Sequence, residues 1–182
     1  MKVIGVVGLP ASGKGEFSKI VKGMGIPVVV MGDVIRDAVK EAGLAPTDAN
    51  LGAMADRLRT EEGMDAIANR CMALIMQQGA PLVLVDGIRG DAEVRVFRRQ
   101  FPGFVLVAID SSFEHRLERL GTRGRSDDGT STGALRVRDE RERRWGLDAA
   151  LAMADTRIRN DGTLAEYATV VRELLGRTGC DV

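Results

Sequence analysis

The feature that most constrains the fold of this chain is a glycine-bracketed loop near its start, Gly8-Leu9-Pro10-Ala11-Ser12-Gly13-Lys14. The loop has the spacing G-x-x-x-x-G-K, follows the apolar run over residues 3–7 and precedes a helical pattern. Glycines let consecutive backbone N–H groups curl around phosphate oxygens, and the N-terminus of the next helix adds a partial positive charge. The lysine then reaches the β- and γ-phosphates of a nucleoside triphosphate. The loop therefore predicts a strand, a phosphate-binding turn and a helix, in that order.

The residues after the lysine depart from the usual pattern. A serine or threonine hydroxyl normally follows it and ligates Mg²⁺, whereas this chain has Gly15 and then Glu16. Direct metal ligation from the loop is therefore not expected. Because Mg²⁺ keeps several of its waters when bound, the nucleotide phosphates, waters and one carboxylate from elsewhere can hold it. We expect residues 8–15, the P-loop, to bind the phosphates of ATP.

Short β-branched runs alternate with longer helical patterns along the whole chain. The runs predict strands over residues 3–7, 27–31, 82–86, 104–110 and 156–159. The helical patterns cover residues 13–22, 32–41, 48–77, 92–100, 113–120, 135–145 and 164–175. The strands are apolar on both faces, which predicts a three-layer α/β/α fold with a five-stranded parallel sheet. We expect one domain over residues 1–182, with ligands beyond the carboxyl ends of the strands.

Composition limits the partners. Lys and Arg together number 26, as do Asp and Glu, so no net charge attracts nucleic acid or an anionic membrane. No apolar run approaches the roughly 20 residues that a membrane helix needs. The two cysteines, Cys71 and Cys180, have no metal-ligand spacing and fit a reducing compartment. We expect a cytoplasmic protein, a monomer or small homo-oligomer, that acts on a small molecule.

The stretch VLVDGIRG, residues 83–90, supplies a candidate carboxylate for the metal. Four apolar residues lead into Asp86 at a predicted strand end, from which an acid can orient the waters of Mg²⁺. The alternative is a simple turn, since Asp-Gly is a common turn pair. Beside a P-loop, the metal-binding interpretation is favoured.

Two arginines are predicted near the same edge of the sheet. Arg36 lies one turn into the helix that follows the second strand, and Arg89 comes just after Asp86. An arginine can hold a phosphate through two hydrogen bonds, so the pair indicates a second anionic group besides the triphosphate. Asp33 can cap its helix, or can serve a hydroxyl acceptor as the nearby carboxylate.

A third basic group surrounds the polar, glycine-rich segment over residues 121–133, which is typical of a mobile lid. Arg119, Arg123 and Arg125 are predicted to close over a migrating phosphoryl group. The following arginines are interleaved with acidic residues and predict a salt-bridged, solvated helix face; they are Arg136, Arg138, Arg141, Arg143 and Arg144. Asn160 follows the last strand, where it can form a turn or lie beside a purine ring.

These residues together resemble the adenylate kinase branch of the nucleoside monophosphate kinases. GLPASGKG is similar to that family's G-x-P-G-x-G-K-G, MGDVIR to its T-G-D-M-L-R, and DGIRG to its D-G-F-P-R, one residue shorter before the arginine. Leu51-Gly52 resembles the L-G of its monophosphate-binding arm. The stretches over residues 105–125 and 154–167 look more like dephospho-CoA kinases.

Residues 1 to about 175 closely resemble an archaeal family of adenylate-kinase-related P-loop proteins, most specifically in MGDVIRD, DGIRG and RGRSDD. The resemblance implies ATP binding, a monophosphate-binding arm over about residues 32–78, a short lid over about 121–135, and an acceptor phosphate held by Arg36. Met31 stands where adenylate kinases have a threonine near adenine, so the acceptor is left open.

The resulting expectation is a small Mg²⁺-dependent nucleotide kinase. ATP would lie on residues 8–15, with Asn160 near its base, Lys14 at the β/γ bridge and Asp86 on the metal's waters. Arg36 and Arg89 would hold the acceptor phosphate, and Arg119, Arg123 and Arg125 the migrating group. AMP is the first candidate acceptor and dephospho-CoA the second. The rival interpretation is an ATP-binding switch or weak ATPase that acts through a protein or RNA partner.

Overall fold

The computed structural model describes residues 1–123 and 131–177. Five parallel strands form one sheet in the order β2-β3-β1-β4-β5. The strands are β1 Lys2–Val7, β2 Val28–Val30, β3 Leu82–Ile88, β4 Val105–Asp110 and β5 Thr156–Arg159. All five predicted strands are thus confirmed, with ends that move by one or two residues. The P-loop leaves β1, which has β2 and β3 on one side and β4 and β5 on the other. The carboxyl end of such a strand is where these sheets bind ligands.

The helices before the gap in the described ranges are α1 Lys14–Gly23, α2 Met31–Glu41, α3 Asp48–Glu62, α4 Ala66–Gln77, α5 Asp91–Gln100 and α6 Phe113–Arg123. After it come α7 Thr132–Arg144, α8 Leu147–Ala152 and α9 Leu164–Arg177. The last begins with a capping box, in which Glu166 accepts from the backbone N–H of Thr163 at 2.8 Å. Each helix in these ranges is too short or too polar to span a bilayer.

The apolar residues of the strands belong to two hydrophobic cores, one on each face of the sheet. In β1, Val3 and Val7 belong to the core that includes residues of α2 to α5 and α8. Ile4 and Val6 belong to the other core, which includes Phe17 of α1 and residues of α9. Because successive side chains of a strand point to opposite faces, strands apolar throughout require helices on both sides. The three-layer α/β/α prediction is therefore confirmed.

Two helix predictions were wrong. The pattern over residues 48–77 is two helices, since α3 ends at Glu62 and Gly63 then takes a φ of 104° that ordinary residues rarely adopt. The short helix α8 was not predicted at all. It follows Gly146, which has a φ of 93° and turns the chain after α7. Both boundaries are set by single glycines inside segments that otherwise have helical composition.

The carboxyl end of β3 carries a bulge that matters for the site. Asp86 pairs with Val6 of β1, but the next pair joins Ile88 to Val7, so Gly87 is an extra residue in β3. Gly87 has a φ of 97°, which glycine adopts without strain. Asp86 also pairs with Val30 of β2. The backbone of Asp86 thereby lies between the ends of β1 and β2, and its side chain contacts α1.

Candidate active site

The P-loop turns through two residues with left-handed backbone conformation. Ala11 has a φ of 60° and Gly13 a φ of 116°. A β-carbon on Gly13 would lie 2.1 Å from Nδ2 of Asn160, so only glycine fits at this position. Residues of this conformation curve the backbone into a concave row of N–H groups, the geometry that binds anions. The loop thus has the backbone form that its sequence predicts.

Side chains from outside the loop donate hydrogen bonds to its carbonyl oxygens. The contacts are Arg116 to Pro10 at 3.1 Å, Arg119 to Ser12 at 3.3 Å, Asn160 to Ser12 at 2.9 Å and Tyr167 to Gly13 at 3.3 Å. Carbonyls that accept hydrogen bonds in this way hold the backbone of the loop in one conformation, whose N–H groups can then bind an anion. Three elements, α6, α9 and the turn after β5, therefore support the phosphate-binding conformation.

Lys14 lies across the start of the loop. Its Nζ donates to the carbonyls of Gly8 and Leu9, at 2.5 and 2.9 Å, and the residue is 8% exposed. Glu16, which replaces the usual hydroxyl, points outward instead and pairs with Lys19 at 2.6 Å. The departure at position 16 therefore does not bring a carboxylate into the phosphate-binding face.

Ser12 supports the assignment of the loop to an anion. Its Oγ is buried and, in the part of the chain that the structure describes, has no hydrogen-bond partner. A buried hydroxyl without a partner costs about 1–3 kcal/mol. Such a cost is typical of a segment shaped for binding a ligand rather than for stability alone.

Arg119 and Asn160, which the sequence predicts separately, meet beside the P-loop. Nη2 of Arg119 donates to the backbone oxygen of Asn160 at 2.6 Å, and its Nη1 donates to Oγ of Ser111 at 3.0 Å. The side chain of Arg123 and the whole of Arg125 lie outside the described residues. Arg116, which the sequence analysis did not assign to the site, is buried and pairs with Asp139 of α7 through two hydrogen bonds of 2.8 and 2.7 Å.

Asp86 lies near the carboxyl end of β3, with 8% of its surface exposed. Oδ2 of its side chain accepts a hydrogen bond of 2.7 Å from Oγ of Ser18 on α1. Among residues 1–123 and 131–177, no cluster of three or more His, Cys, Asp or Glu side chains could hold a metal. A single carboxylate near a P-loop fits Mg²⁺ that is held mainly by nucleotide phosphates and waters.

Beyond Asp86, an open cavity lies between α2, α3, the end of β3 and α7. We call it the arginine pocket after the five arginines in its lining, Arg36, Arg59, Arg89, Arg138 and Arg141. Three acidic residues also line it, Asp48, Glu93 and Glu142, so the formal charge is +2. Apolar side chains of Met31, Ile35, Leu51, Ala55 and Ile67 complete the wall. The pocket can therefore bind an anion that has an apolar part.

Arg36 lies at the rim of the arginine pocket. Its Nη1 donates to Oδ1 of Asp33 at 2.6 Å, and the two side chains are 39% and 59% exposed. Asp33 itself lies outside the pocket lining. The role predicted for Asp33, a carboxylate near an acceptor hydroxyl, stays a prediction; its side chain lies beside Arg36. An exposed ion pair of this kind contributes at most about 1 kcal/mol, so Arg36 can exchange Asp33 for a ligand.

Arg89 lies inside the pocket and pairs with Glu142 of α7. Burial lowers the pKa of Arg89 to about 9, with the nearby positive charge of Arg138 acting in the same direction. The group remains cationic at neutral pH. Both Arg36 and Arg89, which the sequence predicts to bind one acceptor, thus line a single cavity.

The floor of the pocket is a buried ion pair. Nη2 of Arg59 donates to Oε1 of Glu93 at 2.7 Å, and its guanidinium lies over the ring of Trp145 at 4.4 Å. Glu93 also accepts from the backbone N–H groups of Arg89 and Gly90, at 2.7 and 3.2 Å. Glu93 therefore holds the segment that carries Arg89, and none of its contacts was predicted from the sequence.

The prediction of a solvated face on α7 was wrong for Arg138 and Arg141. Both line the pocket, and Arg141 holds Asp48 of α3 through two hydrogen bonds of 2.9 and 2.7 Å. Asp139 and Glu142 of the same helix are buried. Residues 138, 141, 142 and 145 share one helical face that ends in the chain's one tryptophan. That spacing was the sequence signal from which a cavity-facing side of α7 could have been predicted. Arg136, Arg143 and Arg144 are exposed, as predicted.

A model of the AAA domain family matches residues 7–133. A UPF0200 protein of Methanoregula boonei is 66% identical over 175 residues, with 96% of each chain covered. Another UPF0200 protein, from Methanoculleus marisnigri, is 60% identical and covers 98% of each chain.

Solved structures show the same fold at low sequence identity. The protein TT1252 of Thermus thermophilus has a TM-score of 0.67 at 17% identity, covering 97% of each chain. A gluconokinase of Sinorhizobium meliloti has a TM-score of 0.57 at 19% identity, covering 97% of this chain and 92% of its own. The shikimate kinase of Aquifex aeolicus has a TM-score of 0.56 at 16% identity, covering 99% of each. With this fold and these relatives, the chain belongs to the UPF0200 family of archaeal proteins, which has the α/β fold of P-loop kinases.

Proposed function

We propose that this protein transfers the γ-phosphoryl group of ATP to a phosphate-bearing acceptor in the arginine pocket, with AMP as the first candidate. One observation carries the proposal. Asp86 bonds to Ser18 of the helix that follows the P-loop, while Gly87 and Arg89, directly after it, line the arginine pocket. One short segment, residues 86–89 at the end of β3, therefore connects the helix after the anion-binding loop with the cationic cavity.

On the donor side, the backbone N–H groups of residues 8–15 would hold the phosphates of ATP. Lys14, which bonds to loop carbonyls, would turn to the β- and γ-phosphates. Asn160 and Arg119, which contact the loop, would lie beside the rest of the nucleotide. Asp86 would orient the waters of Mg²⁺, which when bound supplies neutralising charge to the phosphates.

On the acceptor side, Arg36 and Arg89 would grip the acceptor phosphate through charge-assisted hydrogen bonds. Arg138 and Arg141 line the same cavity and join the set of candidates. The apolar wall formed by Met31, Ile35 and Leu51 suits the base of a nucleotide. These features support a nucleoside monophosphate over an acceptor that is only a small inorganic anion.

The chemistry needs no protein base when the acceptor is already an anion. An oxygen of the acceptor phosphate forms a bond to the γ-phosphorus, and the bond from that phosphorus to the β–γ bridging oxygen breaks. ADP leaves with the electron pair, and AMP becomes a second ADP. Catalysis then consists of positioning and charge stabilisation. Arg119, together with Arg123 and Arg125, is proposed to stabilise the phosphoryl group during its transfer.

The test is an acceptor panel with purified protein, ATP and Mg²⁺, followed by ³¹P NMR for ADP and the phosphorylated product. The panel holds AMP, other nucleoside monophosphates and dephospho-CoA, and adds shikimate and gluconate because two similar structures are kinases with those names. ADP formation that requires AMP supports the proposal. Turnover with dephospho-CoA alone would show that the accepting group is a hydroxyl and not a phosphate. Slow ADP release that no acceptor changes, but that RNA or a protein stimulates, supports the switch interpretation instead.

A further inference from the structure

The P-loop lacks its usual hydroxyl, but another hydroxyl lies near the metal-binding carboxylate. Ser18 is 8% exposed, and its Oγ donates to Oδ2 of Asp86 at 2.7 Å. Glu16, which occupies one of the usual hydroxyl positions, faces outward to Lys19. Although positions 15 and 16 lack a hydroxyl, α1 therefore supplies one to this site through Ser18.

The position of Ser18 follows from helix geometry. Ser18 comes four residues after Lys14, and residues so spaced lie on the same face of a helix. Lys14 and Ser18 are both among the buried residues of α1. The face of α1 that presents the P-loop lysine therefore also presents this hydroxyl to β3.

The hydrogen bond constrains Asp86 strongly. A bond from a hydroxyl to a buried carboxylate is stronger than a bond between neutral groups and is lost only at high cost. The bulge at Gly87 sets the backbone that carries the carboxylate, and Ser18 sets its side-chain rotation. Because Ser18 engages Oδ2, Oδ1 would be the oxygen available to the waters of a bound metal.

We propose that Ser18 is a positioning residue that replaces the missing P-loop hydroxyl, acting through Asp86 rather than by ligating the metal. The proposal rests on the proposed function, since it assumes that Asp86 orients the waters of Mg²⁺ bound with ATP. In other metal sites, loss of a group that orients a ligand lowers metal affinity about 10–100-fold.

The test measures the affinity for ATP by titration calorimetry, once with Mg²⁺ and once with a chelator. For the wild type we expect Mg²⁺ to strengthen binding. Ser18→Ala is expected to reduce that strengthening by about tenfold while leaving the affinity for metal-free ATP unchanged. Ser18→Thr keeps the hydroxyl and is expected to retain the effect of Mg²⁺. Thr169→Ala, which removes a hydroxyl bonded to a helix carbonyl on α9, is the matched control.

A second series separates positioning from folding. Ser18→Cys has nearly the volume of serine and a weaker donor, so it is expected to lose the Mg²⁺ effect even if the alanine variant does not fold. In an Asp86→Asn background, Ser18→Ala should remove nothing further, because both changes act on one interaction.

The outcomes distinguish this inference from the proposed function. If the wild type binds no ATP, the proposed function fails. If ATP binds and Ser18→Ala or Ser18→Cys keeps the full effect of Mg²⁺, only the role of Ser18 is overturned. A uniform loss of affinity with and without Mg²⁺ would also overturn it, since that result would assign Ser18 to the loop rather than to the metal.

Discussion

The P-loop and the arginine pocket lie at the same edge of the sheet but are held in different ways. The P-loop is supported through its own carbonyls, which accept hydrogen bonds from Arg116, Arg119, Asn160 and Tyr167. In the arginine pocket, by contrast, cations are held by carboxylates of the protein. The proposed donor site is thus preformed, whereas an anion in the proposed acceptor site would compete with carboxylates of the protein.

The ion pairs of the pocket differ in how readily they can be exchanged. Arg59 and Glu93 are almost completely buried, with side chains 3% and 0% exposed. Removing one member of such a pair leaves a buried charge and costs about 3–5 kcal/mol. The pair of Arg36 with Asp33 is exposed and worth at most about 1 kcal/mol. The floor of the pocket is therefore structural, and its rim is the part that a ligand can rearrange.

The largest expected effect falls on the donor side. Lys14→Ala should reduce phosphoryl transfer by about 10²–10³-fold, the usual cost of removing one preorganised charge donor at a reacting group. The fold should persist, because other side chains also support the loop. The measurement is the initial rate of ADP formation, with circular dichroism to verify folding.

Lys19→Ala provides the control for Lys14, since Lys19 is exposed on the same helix and pairs only with Glu16 among the contacts described. Its rate should match the wild type. Full activity in Lys14→Ala would remove the assignment of the loop to the transferred phosphates.

On the acceptor side, Arg36→Ala should raise the KM for the acceptor about 10–100-fold, because hydrogen bonds to charged groups contribute about 1.5–3 kcal/mol. The Kd for ATP should stay the same, since Arg36 lies in the pocket and not at the P-loop. Steady-state kinetics and calorimetry measure the two quantities. Arg57→Ala, on the exposed side of α3 with Glu61 as partner, is the matched control. Equal losses for ATP and acceptor would place Arg36 at both sites and erase the contrast between the two regions.

The same contrast explains what could be predicted from the sequence. The P-loop depends on local backbone conformation, so its glycine spacing was enough to predict the strand, turn and helix. The pocket depends on contacts between segments far apart in the chain, such as Arg141 with Asp48 and Arg59 with Glu93. No local pattern specifies such partners, and on α7 the one local signal, the shared helical face of Arg138, Arg141 and Trp145, is obscured by the interleaved charges around it. Arg138 and Arg141 were missed for that reason.

Asp48→Asn tests whether a carboxylate of the protein competes with the acceptor. Asp48 takes two hydrogen bonds from Arg141 and lies 3.7 Å from Nε of Arg138. Removing its charge should free these cations for a ligand and lower the Kd of AMP several-fold. A tenfold change in Kd corresponds to about 1.4 kcal/mol of binding free energy. Calorimetry with AMP measures the change. Weaker binding would show that Asp48 orders the pocket for the acceptor instead of competing with it.

The pH dependence of stability gives a second readout of Asp48. Burial acts to raise the pKa of Asp48, but the hydrogen bond and positive charge of Arg141, with the charge of Arg138, outweigh it and hold the pKa below its ordinary value of 3.8. A lowered carboxyl pKa stabilises the fold above the ordinary pKa, and that contribution disappears as the pH falls through the lowered value. Urea titrations should therefore show a steeper acid loss of unfolding free energy in the wild type than in Asp48→Asn. Parallel curves would contradict the pairing.

The smallest expected effect concerns the strain in the P-loop. The pattern that the loop resembles has glycine where this chain has Ala11, and Ala11 nonetheless adopts a φ of 60°. Because that conformation costs an L-residue roughly 1 kcal/mol that glycine avoids, Ala11→Gly should raise the unfolding free energy by up to about 1 kcal/mol. Ala53→Gly in α3 should lower it by about as much, since glycine is unfavourable inside a helix. If carbonyl contacts alone hold the loop, the Kd for ATP stays unchanged in Ala11→Gly. A higher Kd would show that the alanine itself limits the motion of the loop. The proposed donor site would then be preformed partly by backbone strain.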